Sequence, residues 1–144
     1  MPTADDFLDA CKYESLLKAT QAFDESFTTA FDSNGGTAVH QAVANQGTGS
    51  LEMVQWLHGK GFALDTPNSA GRTPIQDAAE IGSLEIVRWM HEEGKAPIDV
   101  ANKHGIHIIH SACKTGSLEL VQYVVAKASA DVNIADSGGG TPMI

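Results

Sequence analysis

Three histidines, His104, His107 and His110, stand three residues apart. Three imidazoles can hold a zinc ion with one position left open, as catalytic zinc sites do. Gly105 interrupts any helix between the first two, so the three side chains diverge and no metal is expected. Two glycine clusters, Gly47-Thr48-Gly49-Ser50 and Gly138-Gly139-Gly140-Thr141, have the composition of phosphate loops. Neither carries the following Lys or joins a buried strand to a helix, so neither is expected to cradle phosphate. Cys11 and Cys113 are about a hundred residues apart and read as small core residues, not as nucleophiles. His58 and His91 are candidates for a proton-sensitive stacked pair. Trp56, Trp89 and Tyr123 are candidates for an aromatic ladder, either packed against the core or offered to a partner. These candidates supply no nucleophile–base set, so no catalysis and no cofactor are expected.

The elements that hold these residues repeat. Gly49-Ser50-Leu51-Glu52-Met53-Val54, Gly82-Ser83-Leu84-Glu85-Ile86-Val87 and Gly116-Ser117-Leu118-Glu119-Leu120-Val121 align directly. Upstream of each lies a second block: Gly35-Gly36-Thr37-Ala38-Val39-His40-Gln41-Ala42, Gly71-Arg72-Thr73-Pro74-Ile75-Gln76-Asp77-Ala78 and Gly105-Ile106-His107-Ile108-Ile109-His110-Ser111-Ala112. A further copy starts at Gly139-Gly140-Thr141-Pro142-Met143-Ile144. The anchors Thr37, Thr73, His107 and Thr141 give a period of about 34 residues, and fixed periods of that length mark stacked repeat architectures.

The blocks resemble the ankyrin repeat, whose signature is T-P-L-H-x-A. The departures fall at turns: three extra residues within Asn45-Gln46-Gly47-Thr48-Gly49, and one extra residue near Lys95 and in Ala128-Ser129. The N-terminus reads as a divergent first copy, because Ala10 precedes Leu16 by the gap that separates Ala78 from Leu84. The expected architecture is therefore an all-α ankyrin-repeat solenoid over 1–144. It has copies at 3–34, 35–70, 71–104 and 105–138 and a partial fifth at 139–144.

Within each copy the residues prescribe helix, turn, helix and finger. Thr73 is placed to cap the first helix with its hydroxyl, and Pro74 suits the first helical position. Gly82 and Gly116 are placed to end the first helices, and Gly61 and Gly94 the second. Leu84, Ile86, Val87 and Met90 give the second helix an apolar stripe. Asp32, Asn68, Asn102 and Asp136 precede the finger glycines by three residues, where an Asp or Asn side chain can bond nearby backbone. The resemblance assigns His40 and His110 a backbone bond between repeats.

Charge narrows the partners. The chain carries nine basic against eighteen acidic side chains and a formal charge of −9. Residues 1–34 hold seven of the acids and two of the bases, which reads as a solvated outer end or an acidic docking surface. With two Arg and no basic stripe, neither nucleic acid nor an anionic membrane is an expected partner. No apolar run reaches the ~20 residues of a membrane span. The N-terminus lacks the pattern of a secretory signal. Together with two separated cysteines this suggests a reducing, cytoplasmic or nuclear setting.

The resemblance implies a protein-interaction module that binds through fingertips and first helices. Carried over by position, the site comprises Ser33, Asn34, Asn45, Ser69, Ala70, Arg72, Glu80, Ile81, Lys103, His104, Ile106, Lys114 and Thr115. Arg72, Lys103 and Lys114 are cationic, Glu80 is acidic, and Ile81 and Ile106 are apolar where solvent is expected. A monomer binding an acidic protein or peptide with apolar anchors is the expectation. Two alternatives stand beside it: a regulatory or targeting domain of a larger enzyme or receptor, and a unit that self-stacks through its C-terminal end.

Overall fold

A computed structural model describes residues 1–45 and 50–142. Most of the Asn45–Gly49 insertion, most of the first glycine cluster, and Met143 and Ile144 lie outside them. Among the described residues the chain forms α1 (Ala4–Tyr13), α2 (Leu16–Ala22), a 3-10 turn (Glu25–Thr29), α3 (Ala38–Ala44), α4 (Ser50–Gly59), α5 (Pro74–Glu80), α6 (Leu84–Glu92), α7 (Ile108–Thr115) and α8 (Leu118–Ala128), with no strand.

Each odd-numbered helix pairs with the even-numbered helix after it, and α1, α3, α5 and α7 pack side by side as an inner row. Small residues permit that approach: Ala10, Ala42, Ala78 and Ala112 are all essentially buried at equivalent places. The second helices contribute Met53, Val54 and Leu57, then Ile86, Val87 and Met90, then Leu120, Val121 and Val124 to one continuous core. No single copy encloses such a core; stacking does.

The third residue of α3, α5 and α7 stitches neighbouring copies together. His40 Nδ1 accepts the Thr37 N–H at 3.0 Å, and its Nε2–H donates to the Arg72 carbonyl at 2.9 Å. Gln76 repeats the device, with Oε1 accepting the Thr73 N–H and Nε2 donating to the Ile106 carbonyl at 3.1 Å. His110 accepts the His107 N–H at Nδ1 and meets the Gly140 carbonyl at 3.3 Å through Nε2. The resemblance anticipated this role for both histidines.

Several local expectations need correction. Thr37 donates its hydroxyl to His40 Nδ1 at 3.1 Å, but the buried Thr73 hydroxyl finds no partner. The inner-helix residue there is Gln76, whose Oε1 accepts the Thr73 N–H, and no side-chain nitrogen meets the hydroxyl as His40 Nδ1 meets that of Thr37. Gly82 and Gly116 do follow α5 and α7 in left-handed conformation. After α6 and α8, the left-handed residues are Lys95 (φ 57°) and Ser129 (φ 48°). Gly94 serves packing instead, since a Cβ there would press on Leu64 and lie 2.8 Å from the Met90 carbonyl.

Candidate protein-binding site

The fingers are built by one side-chain device. Oδ1 of Asp32 accepts the N–H groups of Asn34 and Gly36 at 2.7 and 2.8 Å. Asn68, Asn102 and Asp136 do the same for the residues two and four places on. Successive fingers then join: Ser69 N–H to the Asn34 carbonyl, Lys103 N–H to Ala70 and Ser137 N–H to His104, at 2.9–3.1 Å. The row projects Ser33, Asn34, Ser69, Lys103 and His104 into solvent, with Ala70 half-buried.

At the inner-helix exits the expected residues divide. Glu80, Ile81 (45% exposed) and Lys114 (73% side-chain exposure) face solvent. Asn45 and Thr115 are half-buried and structurally committed. The Asn45 amide donates to the carbonyls of Cys11 and Glu14, tying the second copy to the first. Thr115 bonds the Ala112 carbonyl and accepts the Ser117 N–H, closing the end of α7.

The cationic groove also needs correction. Arg72 is only 19% exposed and turns inward, donating through Nε to Asp77 at 2.8 Å and through its other arm to Glu80. Lys114 stands 3.7 Å from the other oxygen of Glu80. Glu80 is therefore joined by Asp77 on the Arg72 guanidinium. Asp77 lies one helical turn before it, a spacing legible in the sequence, and Asp136 lines the same cleft as Glu80. Arg72, Glu80, Lys114 and Asp136 border a half-open cleft of about 470 Å³ together with Ile106 and Pro142. Lys103 remains exposed on its finger.

The histidine triplet is dispersed by other contacts. His104 is an exposed fingertip residue. His107 bonds Asp99 at 3.0 Å, and the rings of His107 and His110 are 6.2 Å apart with their Nδ1 atoms already engaged. His58 and His91 do not stack on each other. His58 packs edge-on against Trp89 at 5.6 Å, and His91 against Tyr123 at 6.4 Å, one copy further along. Trp56 instead joins Phe7 and Phe23 in the first copy. Tyr123 also donates to Glu92 at 3.0 Å. Burial and this bond to a carboxylate push its phenol up to about 12.

Cys11 is fully buried, which drives its thiol to about 12. Cys113 is half-exposed and borders the cleft, although burial still raises its thiol above the ordinary value. The second cysteine is thus less enclosed than its repeat position suggests, because Val43 and Ala79 are fully buried there.

The stacked helix pairs, the row of fingers and the inter-repeat bonds from His40, Gln76 and His110 agree with the comparison to protein families. A family model of ankyrin repeats (3 copies) matches residues 39–136. No curated protein matches the chain. Ankyrin repeats are generally protein–protein interaction modules and generally non-catalytic. No helix among the described residues is long and apolar enough to cross a membrane. By the span of the match and the fold together, the chain belongs to the ankyrin repeat family.

Proposed function

We propose that the surface between the fingers and the inner helices binds a segment of another protein without catalysing a reaction on it. One observation carries the reading: Ile81, at the C-terminal cap of α5, is 45% exposed. A large apolar side chain held there by a rigid helix is suited to anchor a partner. Ile106, half-buried at the cleft, is a second anchor. Lys103 and Lys114 receive an acidic residue of that segment, because both are exposed and Lys114 is held by a single 3.7 Å contact. Arg72 contributes by keeping Asp77 and Glu80 in place. Ser33, Asn34, Ser69, Ala70 and His104 complete the finger edge.

The test is affinity capture from matching cell extract with the native chain and with Ile81→Ala/Ile106→Ala. Each anchor truncation is expected to weaken binding by roughly fivefold to tenfold. A protein held by the native chain and lost with an equally folded variant supports the site; equal retention contradicts it. A second reading, self-association through the last copy, draws on Leu118, which is 60% exposed where Leu51 and Leu84 are half-buried. Molar mass measured across a range of concentrations decides that one.

A further inference from the structure

Every finger needs glycine at one place. Gly35, Gly71, Gly105 and Gly139 are all left-handed there. A Cβ on Gly35 would lie 2.7 Å from Ser69 Oγ and 3.0 Å from the Ser69 nitrogen. The residue before that glycine is a fingertip residue and is free to vary. It is Asn34 in the first finger, then Ala70, His104 and Gly138. The first finger alone therefore carries an Asn–Gly pair, and the sequence holds no other. The remaining asparagines precede Gln46, Ser69, Lys103 and Ile134.

In an Asn–Gly pair the next backbone nitrogen can reach the asparagine Cγ, because glycine has no side chain to obstruct the five-membered ring that closes. Asn34 is placed for this reaction. It is exposed, and its carboxamide has no hydrogen-bond partner among the described residues. Elsewhere the amide is occupied. Oδ1 of Asn68 and Oδ1 of Asn102 each hold two backbone N–H groups, and the Asn45 amide bonds two carbonyls. The finger itself restrains the attack. Gly35 N–H donates to the Asp32 carbonyl at 3.0 Å, and Asp32 Oδ1 holds the N–H groups of Asn34 and Gly36. The Gly35 nitrogen becomes available when the finger opens locally.

We propose that Asn34 is a site of spontaneous deamidation, gated by opening of the first finger. The Gly35 nitrogen attacks Cγ of Asn34. The new C–N bond closes a succinimide, the bond from Cγ to the carboxamide nitrogen breaks, and ammonia leaves with the Gly35 proton. Water then opens the ring at either carbonyl and leaves aspartate or isoaspartate at position 34. Both products add a negative charge to the finger edge. In isoaspartate the main chain runs through Cβ and Cγ. The Asn34 carbonyl, which receives the Ser69 N–H at 3.0 Å, then leaves the main chain as a carboxylate. The bond that joins the first two fingers is thereby displaced. This chemistry goes beyond the protein-binding reading and stands whether or not the finger edge meets a partner.

The test is peptide mapping by mass spectrometry, with electron-transfer fragmentation, after the full chain is incubated slightly above neutral pH at body temperature. A synthetic peptide of residues 31–37 serves as the clock for an open finger. The native chain is expected to gain aspartate and isoaspartate at position 34, more slowly than the peptide, while Asn68 and Asn102 keep their amides. Asp32→Ala removes the oxygen that holds the finger and is expected to bring the rate toward that of the peptide. Asn34→Gln, whose longer side chain would have to close a larger ring, is expected to show no conversion. The isoaspartate form, separated by ion exchange, is expected to unfold at lower urea than Asn34→Asp. An Asn34 amide that persists through many half-lives of the peptide, or another asparagine converting first, overturns the inference. A rate unaltered by Asp32→Ala overturns the gating, and equal urea midpoints overturn the effect on the finger junction.

Discussion

A hydroxyl at one repeated position shows how finely residue chemistry governs this solenoid. Thr37 and Thr73 occupy the same place before an inner helix, yet only Thr37 has a ring nitrogen to receive its proton. An unsatisfied buried hydroxyl costs about 1–3 kcal/mol. Thr73→Val, nearly isosteric, is therefore expected to raise stability by about 1 kcal/mol, whereas Thr37→Val lowers it by a similar amount. Urea unfolding of the two variants checks this directly. The capping Thr was legible in the sequence. The orphan was not, because it depends on where the Gln76 amide oxygen comes to lie relative to the hydroxyl in the folded chain.

A carboxylate gives the residue scale its pH dependence. At Asp32, burial acts to raise the pKa from 3.8, but N–H groups of Gly36 and Asn34 and the Gln41 amide outweigh it, and the carboxyl is held below that value. A depressed folded pKa means the charged form is favoured in the native state. Its contribution is fully present above the unfolded value and fades as the pH falls through the lower folded one. Urea midpoints are thus expected to fall as the pH drops below about 4, with a shallower fall in Asp32→Asn. An identical pH dependence in both proteins contradicts this account of the finger.

At the scale of elements, the finger and helix-end glycines look alike in sequence but do different work. Gly105 has φ +70° and its missing Cβ would lie 2.9 Å from the Ser137 backbone nitrogen, where two fingers join. Gly116 has φ +71° with nothing within 4 Å. Gly116→Ala meets only the left-handed backbone cost, about 1 kcal/mol. Gly105→Ala must also push the fingers apart and lose a hydrogen bond, so about 2 kcal/mol or more is expected. Thermal or urea unfolding of the pair separates the two costs.

The period arithmetic located the extra residues after the second helices, and Lys95 and Ser129 are the non-glycine residues there with positive φ. It did not reveal the diagonal contacts of His58 with Trp89 and His91 with Tyr123. Those depend on how far each helix pair is rotated against the next, which no single copy specifies.

The whole molecule divides into an acidic first copy and a mixed-charge inner surface. Asp5 and Asp6 sit in the first turn of α1, where carboxylates suit the positive helix end, and Asp6 closes a capping box with Thr3. Part of the N-terminal acidity is thereby accounted for by folding. The inner surface was legible as a list of positions, since residues not needed for stacking follow from the repeat. Its charge was not, because Arg72 turns toward Asp77 and Glu80, and Asn45 and Thr115 are drawn into the scaffold. The central claim is that recognition belongs to this surface and not to the outer helices. Photo-cross-linking tests it most directly, with p-benzoylphenylalanine placed singly at Ile81, at Lys103 or at the exposed outer-helix residue Gln122 in the full chain. The account predicts a shared covalent adduct from Ile81 and Lys103 and none of that mass from Gln122. The same adduct arising from Gln122 alone contradicts it.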